Sequence, residues 1–424
     1  MEPAWFILSD DLTGAADTAI AFARRRLPAT VVWGDAHPED ETRSIALAYD
    51  AATRELGAAE AARRHRDVLR RFLRPRMFVF KKIDSTLRGH PAEEIAAMLD
   101  VMLAHHEGVR VVLAPSFPAM GRTVRDGRVQ VHGIPLPFTE YWPEGREPDL
   151  ASLVNLLESA GVHARQVSLS CVRADPSALR AEFARSASHA EHHAVAVCDA
   201  ETADDLARIA SASLEDGVTF FIGSAGLAHA IAQCVARDSA RRLTSPIRQG
   251  ESRGALVVVG SQASASRAAL APLLALENVE GVTLRPAMLM GDLQSAAHAE
   301  IAQAIGVALS RGTDVVVDIG QDVADPDRGN SQFVMALARV LAPAARQASA
   351  LVVTGGETAA AVLTRIGVAG IRLVDEIEPG IPLGLTLGEV SVPAVTKAGG
   401  FGNEECLKRI VSRLRFIRQT GTVA

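Results

Sequence analysis

Residues 78–90 read Phe78–Val79–Phe80–Lys81–Lys82–Ile83–Asp84–Ser85–Thr86–Leu87–Arg88–Gly89–His90. The first half is apolar enough for a buried strand. The second half crowds two ammoniums, a carboxylate, two hydroxyls, a guanidinium and a glycine into a few positions. Pro91 and the helical run 92–103 follow, so the polar cluster occupies a strand-to-helix turn. In parallel α/β sheets, ligands bind at such turns, outside the carboxyl ends of strands. Lys81, Lys82, Asp84, Ser85, Thr86 and Arg88 suit a small polyhydroxylated anion: cations for a carboxylate, Asp and hydroxyls for sugar OH groups. The competing reading is a solvated turn that caps itself.

Lysine usage sharpens the first reading. The chain has four lysines, Lys81, Lys82, Lys397 and Lys408, among 44 basic residues. Arginine therefore serves wherever a generic positive charge will do. Three of the four lysines lie beside Gly- or Ser/Thr-rich turns, and a compact ammonium meets a carboxylate or phosphate in a way Arg does not freely replace.

Toward the N-terminus, Trp5–Leu8 reads as a short buried strand that ends in Ser9–Asp10–Asp11–Leu12–Thr13–Gly14 and a helix. Adjacent carboxylates at a strand end are costly unless something binds them: a sugar hydroxyl, Mg²⁺, or Lys81 or Lys82. Helix capping needs only one such residue. Toward the C-terminus, the strand 110–114 opens into Pro115–Gly127, where Gly121, Arg122 and Thr123 offer a second cation-plus-hydroxyl set. Asp126–Gly127 is a hairpin signal with 128–132 as the return strand. Residues 134–148 read as a loop over the site.

From 149 onward helices and strands alternate, through helices 150–160, 176–187 and 201–213 and strands 165–169, 194–198 and 218–222. The last strand ends in Gly223–Ser224–Ala225–Gly226, where packing explains the glycines as well as anion binding does. The polar stretch 238–254 reads as a linker. Domains are therefore expected at 1–237 and 255–424, each α/β, with a mostly parallel sheet flanked by helices.

The second domain offers three glycine-bearing strand-to-helix turns: Gly260, Ser261 and Ser264; Gly355, Gly356, Glu357 and Thr358; and Lys397, Gly399, Gly400 and Gly402. A helix is expected at 265–276, another at 331–347 and a third at 359–365. Glycine lets backbone N–H groups approach phosphate oxygens, and helix N-termini favour the negative charge. Three such turns predict a nucleotide site. No Gly-Lys dipeptide exists for a Walker A loop, and no Gly-x-Gly-x-x-Gly stands where a dinucleotide fold needs it.

Composition narrows the class. The net charge of −6 and 4% aromatic content argue against nucleic acid as the main partner. No apolar run approaches the roughly 20 residues of a membrane span. The sequence begins without a leader pattern, which predicts a cytoplasmic protein. Four scattered cysteines indicate neither a disulfide framework nor a zinc site.

The ordered blocks Ser9–Asp17, Lys81–Gly89, Pro115–Thr123, Gly223–Gly226, Gly260–Ser261, Thr354–Thr358, Glu378–Gly384 and Lys397–Gly402 resemble the four-carbon acid sugar kinase family. The resemblance covers essentially the whole chain. It implies an N-terminal sugar-acid domain, a C-terminal nucleotide domain and an active site in the cleft between them. It implies ATP-dependent phosphorylation of the terminal hydroxyl of D-threonate, D-erythronate or 3-oxo-tetronate. The Lys-Ile-Asp-Ser-Thr-Leu-Arg-Gly block looks more like the threonate/erythronate branch.

On that footing Lys82, Arg88 and Arg122 would share the substrate carboxylate, with Lys81, Gly121 and Thr123 also lining the substrate site. Asp84, Ser85 and Thr86 would bind hydroxyls. Asp10 or Asp11 would deprotonate the attacking hydroxyl, with Asp84 the third candidate. The three glycine turns would hold ATP with Mg²⁺ bridging its phosphates, and Glu357 would reach the ribose or the metal's water shell. Rival readings are an NAD(P)-dependent hydroxy-acid dehydrogenase and a non-catalytic sugar-acid sensor. A homodimer is the expected assembly.

Overall fold

Buried apolar strands separated by amphipathic helices build two α/β units, Met1–Arg242 and Leu243–Ala424. A computed structural model describes residues 4–35, 44–187, 194–214, 219–236, 253–289, 296–320 and 331–421.

The first unit contains β1 (Trp5–Ser9), β2 (Ala29–Trp33), β3 (Ala46–Asp50), β4 (Phe78–Lys82), β5 (Arg110–Ala114), β6 (Arg122–Arg125), β7 (Arg128–Val131), β8 (Ile134–Pro135), β9 (Ala164–Val167), β10 (Val195–Cys198) and β11 (Thr219–Gly223). Its main sheet runs β2-β3-β1-β4-β11-β5-β10-β9, with parallel neighbours throughout. Strand alternation sends successive side chains to opposite faces. Phe6 stacks on Phe72 of the helix Ala58–Phe72, with centroids 5.0 Å apart. Trp5 meets Phe22 of the helix Leu12–Ala23 at 5.3 Å. The chain passes from β1 outward to β2 and β3, then crosses to β4 on the other side of β1. That reversal opens a crevice at the carboxyl ends of β1, β3 and β4, where open α/β sheets hold ligands.

β6, β7 and β8 form a small antiparallel sheet. Asp126 (φ 51°) and Gly127 (φ 69°) make its first turn, the left-handed pair that a two-residue hairpin requires. The expected helix 150–160 is shorter, Leu153–Glu158, because Pro148–Ala151 forms its own 3₁₀ turn.

The second unit contains β12 (Ala255–Val259), β13 (Val279–Leu284), β14 (Asp314–Ile319), β15 (Ala350–Thr354), β16 (Val368–Glu378), β17 (Ile381–Gly388) and β18 (Pro393–Lys397). β13-β14-β12-β15-β18 is parallel, and β17 and β16 then add antiparallel strands. The hairpin between them turns at Gly380 (φ 81°), where a side chain would strike the Phe401 ring. The helix expected over 265–276 is two short ones, Ser264–Ala268 and Leu270–Leu274. Pro272 has no N–H to continue one ladder and sits instead in the first turn of the second helix. Residues 277–313, to which the sequence reading assigns no element, contain β13 and the helix Ala296–Ser310. β13 is a largely exposed edge strand, so it lacks the apolar signature that marks the buried strands.

The expected linker 238–254 lies outside the described residues except for its last two. Gly254 already belongs to the second unit: its N–H donates to Leu309 O at 2.8 Å and its carbonyl accepts from Ser349 N at 3.0 Å.

Candidate functional site

Strand register aligns the ends of the first unit's central strands. Asp50 pairs with Ser9, and Lys82 with Gly223, which in turn pairs with Ala114. Beyond this row lie the Ser9–Gly14 turn, the Asp50–Arg54 turn and the turn 83–89.

Arg54 organises the first two. Its Nε donates to Asp10 Oδ2 at 2.7 Å and Nη2 to Asp10 Oδ1 at 3.0 Å. Nη1 reaches Asp11 Oδ2 at 2.9 Å and Nη2 reaches Asp11 Oδ1 at 3.0 Å. One guanidinium thus holds both adjacent carboxylates. Sequence reasoning considered Lys81 and Lys82 for that role and missed Arg54, which is one arginine among forty. Its position just past a strand end was the available signal.

The two aspartates differ. Asp11 caps the helix Leu12–Ala23, accepting from Gly14 N at 2.9 Å, and also accepts from Thr13 Oγ1 at 2.6 Å. With Arg54, each Asp11 oxygen has two donors. Each Asp10 oxygen has one Arg54 donor and keeps a further lone pair. Burial pushes the Asp10 carboxyl up, but Arg54, Lys81 and Lys82 outweigh it and hold the group well below the usual carboxylate range. Gly14 is confined here: a Cβ would come within 2.6 Å of Asp11 Oδ1, 2.8 Å of Ser9 Oγ and 3.1 Å of Lys82 Nζ.

Asp50 behaves oppositely. It is buried beside these groups and its Oδ1 accepts from Ala52 N at 2.7 Å. Burial, then the neighbouring Asp11 and Asp10, push its carboxyl up to about 8. Sequence reading did not single it out.

Lys81 and Lys82, adjacent on β4, diverge as strand neighbours must. Lys82 Nζ donates one hydrogen bond to Ile83 O at 2.9 Å and lies near Gly14. Lys81 is fully buried: its Nζ meets Glu94 Oε2 at 2.7 Å and His65 Nε2 at 2.9 Å. Burial pushes the His65 ring down to about 4, so it stays neutral beside the ammonium. Glu94 also accepts from Thr53 Oγ1 at 2.8 Å, just before Arg54. The expectation that Lys81 lines the substrate site is therefore corrected: it is an internal brace under the Asp50–Arg54 turn.

The 83–89 turn partly caps itself. Asp84 accepts from Thr86 N at 3.1 Å, from the Thr86 hydroxyl, and from Arg88 through Nε at 2.9 Å and Nη2 at 2.8 Å. Burial raises the Asp84 carboxyl, but Arg88, Arg54 and Lys82 hold it well below the usual range. What separates Asp84 from Asp10 is occupancy: Thr86 and Arg88 already take its oxygens, and Arg88 in turn already carries its own carboxylate. Leu87 (φ 60°) and Gly89 (φ 75°) are both left-handed. For Leu87 that conformation is strained, as often occurs at functional turns.

Gly121, expected in the substrate site, has a structural reason: φ is 66° and a Cβ would lie 2.3 Å from the His132 ring. Its neighbour Thr123 is half-buried in β6. At Ser224, the hydroxyl caps the following helix and donates to Ser116 O at 2.8 Å. A Cβ on Gly226 would sit 2.2 Å from that same carbonyl, so packing accounts for this glycine.

In the second unit the three glycine turns converge. Ser261 N donates to Thr354 Oγ1 at 3.3 Å and Gly355 N to Lys397 O at 2.9 Å. Ser266 Oγ donates to Gly399 O at 2.8 Å. A Cβ on Gly260 would lie 2.3 Å from Thr358 Oγ1, and one on Gly399 would lie 1.9 Å from Ser261 Oγ. Those glycines are needed so that the turns can pack on each other. Gly402 (φ 78°) likewise fits against Cys406. Gly355 differs: φ is 93°, its Cβ position is open to ordinary contact, and the helix Gly356–Arg365 behind it has no side-chain cap. An uncapped helix start after an open glycine suits a phosphate group.

Lys397 is buried and donates to Ser266 Oγ at 2.8 Å and to the carbonyls of Ala398 and Gly399, each at 3.2 Å. Burial brings its ammonium down to about 8, against the opposing pull of Cys406 and Glu378. All three of its donors hold protein atoms, so Lys397, expected among the ATP-binding residues, shapes the 398–402 turn here. Ser264 opens the short helix Ser264–Ala268, Glu357 lies in the first turn of the helix Gly356–Arg365, and Gly400 in the turn after β18. Among the described residues no group of three or more His, Cys, Asp or Glu forms a metal-holding cluster, and no helix is long and apolar enough to cross a membrane.

Comparison with known proteins agrees with this division. Residues 5–231 match the family described as sugar-binding N-terminal domain, and residues 256–407 the nucleotide-binding C-terminal domain. A D-threonate kinase of Cupriavidus necator is 37% identical over 95% of this chain and 96% of its own. A D-threonate kinase of Bordetella bronchiseptica is 33% identical over 98% of both. A D-erythronate kinase of Heliobacterium modesticaldum is 28% identical over 94% of both. In fold, the chain resembles a Salmonella typhimurium crystal structure described as a putative tRNA synthase, with TM-score 0.75 at 22% identity over 96% of this chain and 98% of that one. With both domain families and full-length relatives matched, the chain belongs to the four-carbon acid sugar kinase family.

Proposed function

We propose that the protein is an ATP-dependent kinase that phosphorylates the terminal hydroxyl of a four-carbon sugar acid, D-threonate or D-erythronate. The observation that carries this reading is that each unit gathers its own convergent set. In one, Asp10, Arg54, Lys82 and the 83–89 turn meet at the carboxyl edge of the sheet. In the other, three turns meet around an uncapped helix start. The first set supplies fixed acceptors and cations for a polyol acid. The second supplies backbone N–H groups for phosphates.

Phosphoryl transfer asks for positioning and charge neutralisation more than for a strong base. Asp10, rigid under Arg54 and with acceptor capacity to spare, would take the hydrogen bond of the attacking hydroxyl and then its proton as the phosphoryl group arrives. Lys82 would sit near the developing charge. Ser85 and Thr86 would bind the inner hydroxyls. Gly355, Gly356 and Thr358 would hold the ATP phosphates through the start of their helix. Glu357, in the first turn of that helix, would hold Mg²⁺ through its water shell, and the ion would supply charge neutralisation for the transferred group. The D-threonate kinases among the relatives support threonate as the first substrate to try.

The test is a coupled ADP assay with and without Mg²⁺, across D- and L-threonate, D- and L-erythronate and their 3-oxo forms. Turnover is expected only with divalent metal and a four-carbon acid. No ADP above background with any of them would end this reading.

A further inference from the structure

Arg122 opens β6 and is only 3% exposed. Its backbone exchanges two hydrogen bonds with Phe117, Phe117 N to Arg122 O at 2.8 Å and Arg122 N to Phe117 O at 3.1 Å. Its guanidinium lies over the Tyr141 ring, 4.6 Å from the centroid. Its Nε and Nη1 are buried without a hydrogen-bond partner. Three other cations of this region are answered by carboxylates, Arg54 by Asp10 and Asp11, Lys81 by Glu94 and Arg88 by Asp84, while Lys82 and Arg146 each donate to a backbone carbonyl. A desolvated guanidinium with unpaired donors is costly, and a stacked aromatic ring offsets only part of that cost.

The residue is anchored at the same edge as the polar turns. Ala114 at the end of β5 shares the strand-end row with Lys82, and Phe117 follows three residues on. On the other side, Tyr141 adjoins Trp142, which stacks under Arg146 at 4.7 Å, and Arg146 Nη1 donates to Leu87 O at 2.7 Å. The Tyr141–Arg146 segment thus ties the cover of Arg122 to the 83–89 turn.

We propose that Arg122 receives the carboxylate of the sugar acid beneath Tyr141, and that it is the residue by which the site tells an acid from a neutral polyol. Arg88 loses the share that the sequence gave it, because Asp84 already occupies its fork. The inference rests on the sugar-acid kinase reading for the identity of the anion.

The test is calorimetric binding of D-threonate, D-erythronate and the neutral tetritols threitol and erythritol to wild-type protein, Arg122→Gln and Arg122→Lys, alongside thermal melts without ligand. Wild-type protein is expected to prefer the acids. Arg122→Gln should lower acid affinity about 30-fold or more, the scale of losing one partner of a buried charge pair, and leave tetritol affinity unchanged. Arg122→Lys should fall between. Without ligand, Arg122→Gln should melt at the wild-type temperature or above it, since it removes an unpaired buried charge. A melting point several degrees lower would make Arg122 a structural residue and overturn the proposal. So would unchanged acid affinity in Arg122→Gln, or no detectable acid binding by the wild type. Acid binding through Arg122 without ADP formation would sink the kinase reading alone; wild-type KM in Arg122→Gln would sink this proposal alone.

Discussion

Two neighbouring aspartates with the same partner differ in what they can still accept. Asp11 has a helix N–H, a threonine hydroxyl and Arg54 on its oxygens, whereas Asp10 has only Arg54. Asp10→Asn should therefore mainly lower kcat, by about 10²–10⁴ if it accepts the hydroxyl proton. Asn is as good a cap as Asp, so Asp11→Asn keeps the helix start and loses only part of the Arg54 clamp. Its kcat should stay well above that of Asp10→Asn. Steady-state kinetics of the two variants decide the matter, and the opposite ranking would move the acceptor role to Asp11. The aspartate pair was legible in the sequence, because two carboxylates at a strand end exceed what capping needs. Arg54 was not, since a fold must bring residues 10 and 54 together before that arginine differs from any other. The two lysines show the same limit: sequence marked both, and only strand alternation sends Lys81 to Glu94 and His65.

At the level of elements, strand ends form a row and the row sets the charge. Asp50 stands beside Asp10 and Asp11, with one Arg54 between three carboxyls, and its carboxyl is pushed from an ordinary 3.8 up to about 8. The folded protein thus holds a proton there that the unfolded chain releases. Stability from this group is fully present below about 4 and is lost as the pH rises through about 8. Asn stays neutral throughout. The melting temperature of Asp50→Asn should match wild type near pH 4, and its advantage should grow up to about pH 8 and then level off. A difference that stays flat between pH 5 and 8 would mean that Asp50 is ionised in the folded state. The central strands that make the row were plain in the sequence, each a short apolar run ending in polar turn residues. The exposed edge strand β13 was not, and neither was the break at Pro272, because edge strands and short helices carry little periodic signal.

At the scale of the whole chain, each unit has its own buried core. One is centred on Phe6, Leu8, Val79 and Phe220, the other on Val257, Val352, Leu383 and Ile410. Two such cores give ligands two separate handles on stability, because a ligand stabilises the unit that binds it by about RT ln(1 + [L]/Kd). Scanning calorimetry should then resolve the roles. D-threonate at about 100 times its Kd should raise the transition of the first unit by the equivalent of about 2.7 kcal/mol, and Mg-ATP should do the same for the second. Gly356→Val puts a β-branched side chain at the start of the uncapped helix. It should abolish the ATP shift and leave the threonate shift intact, since it touches neither Asp10 nor Arg122. A variant that loses both shifts would mean that the second unit's turns serve folding. The assignment of acid to one unit and nucleotide to the other would then fall.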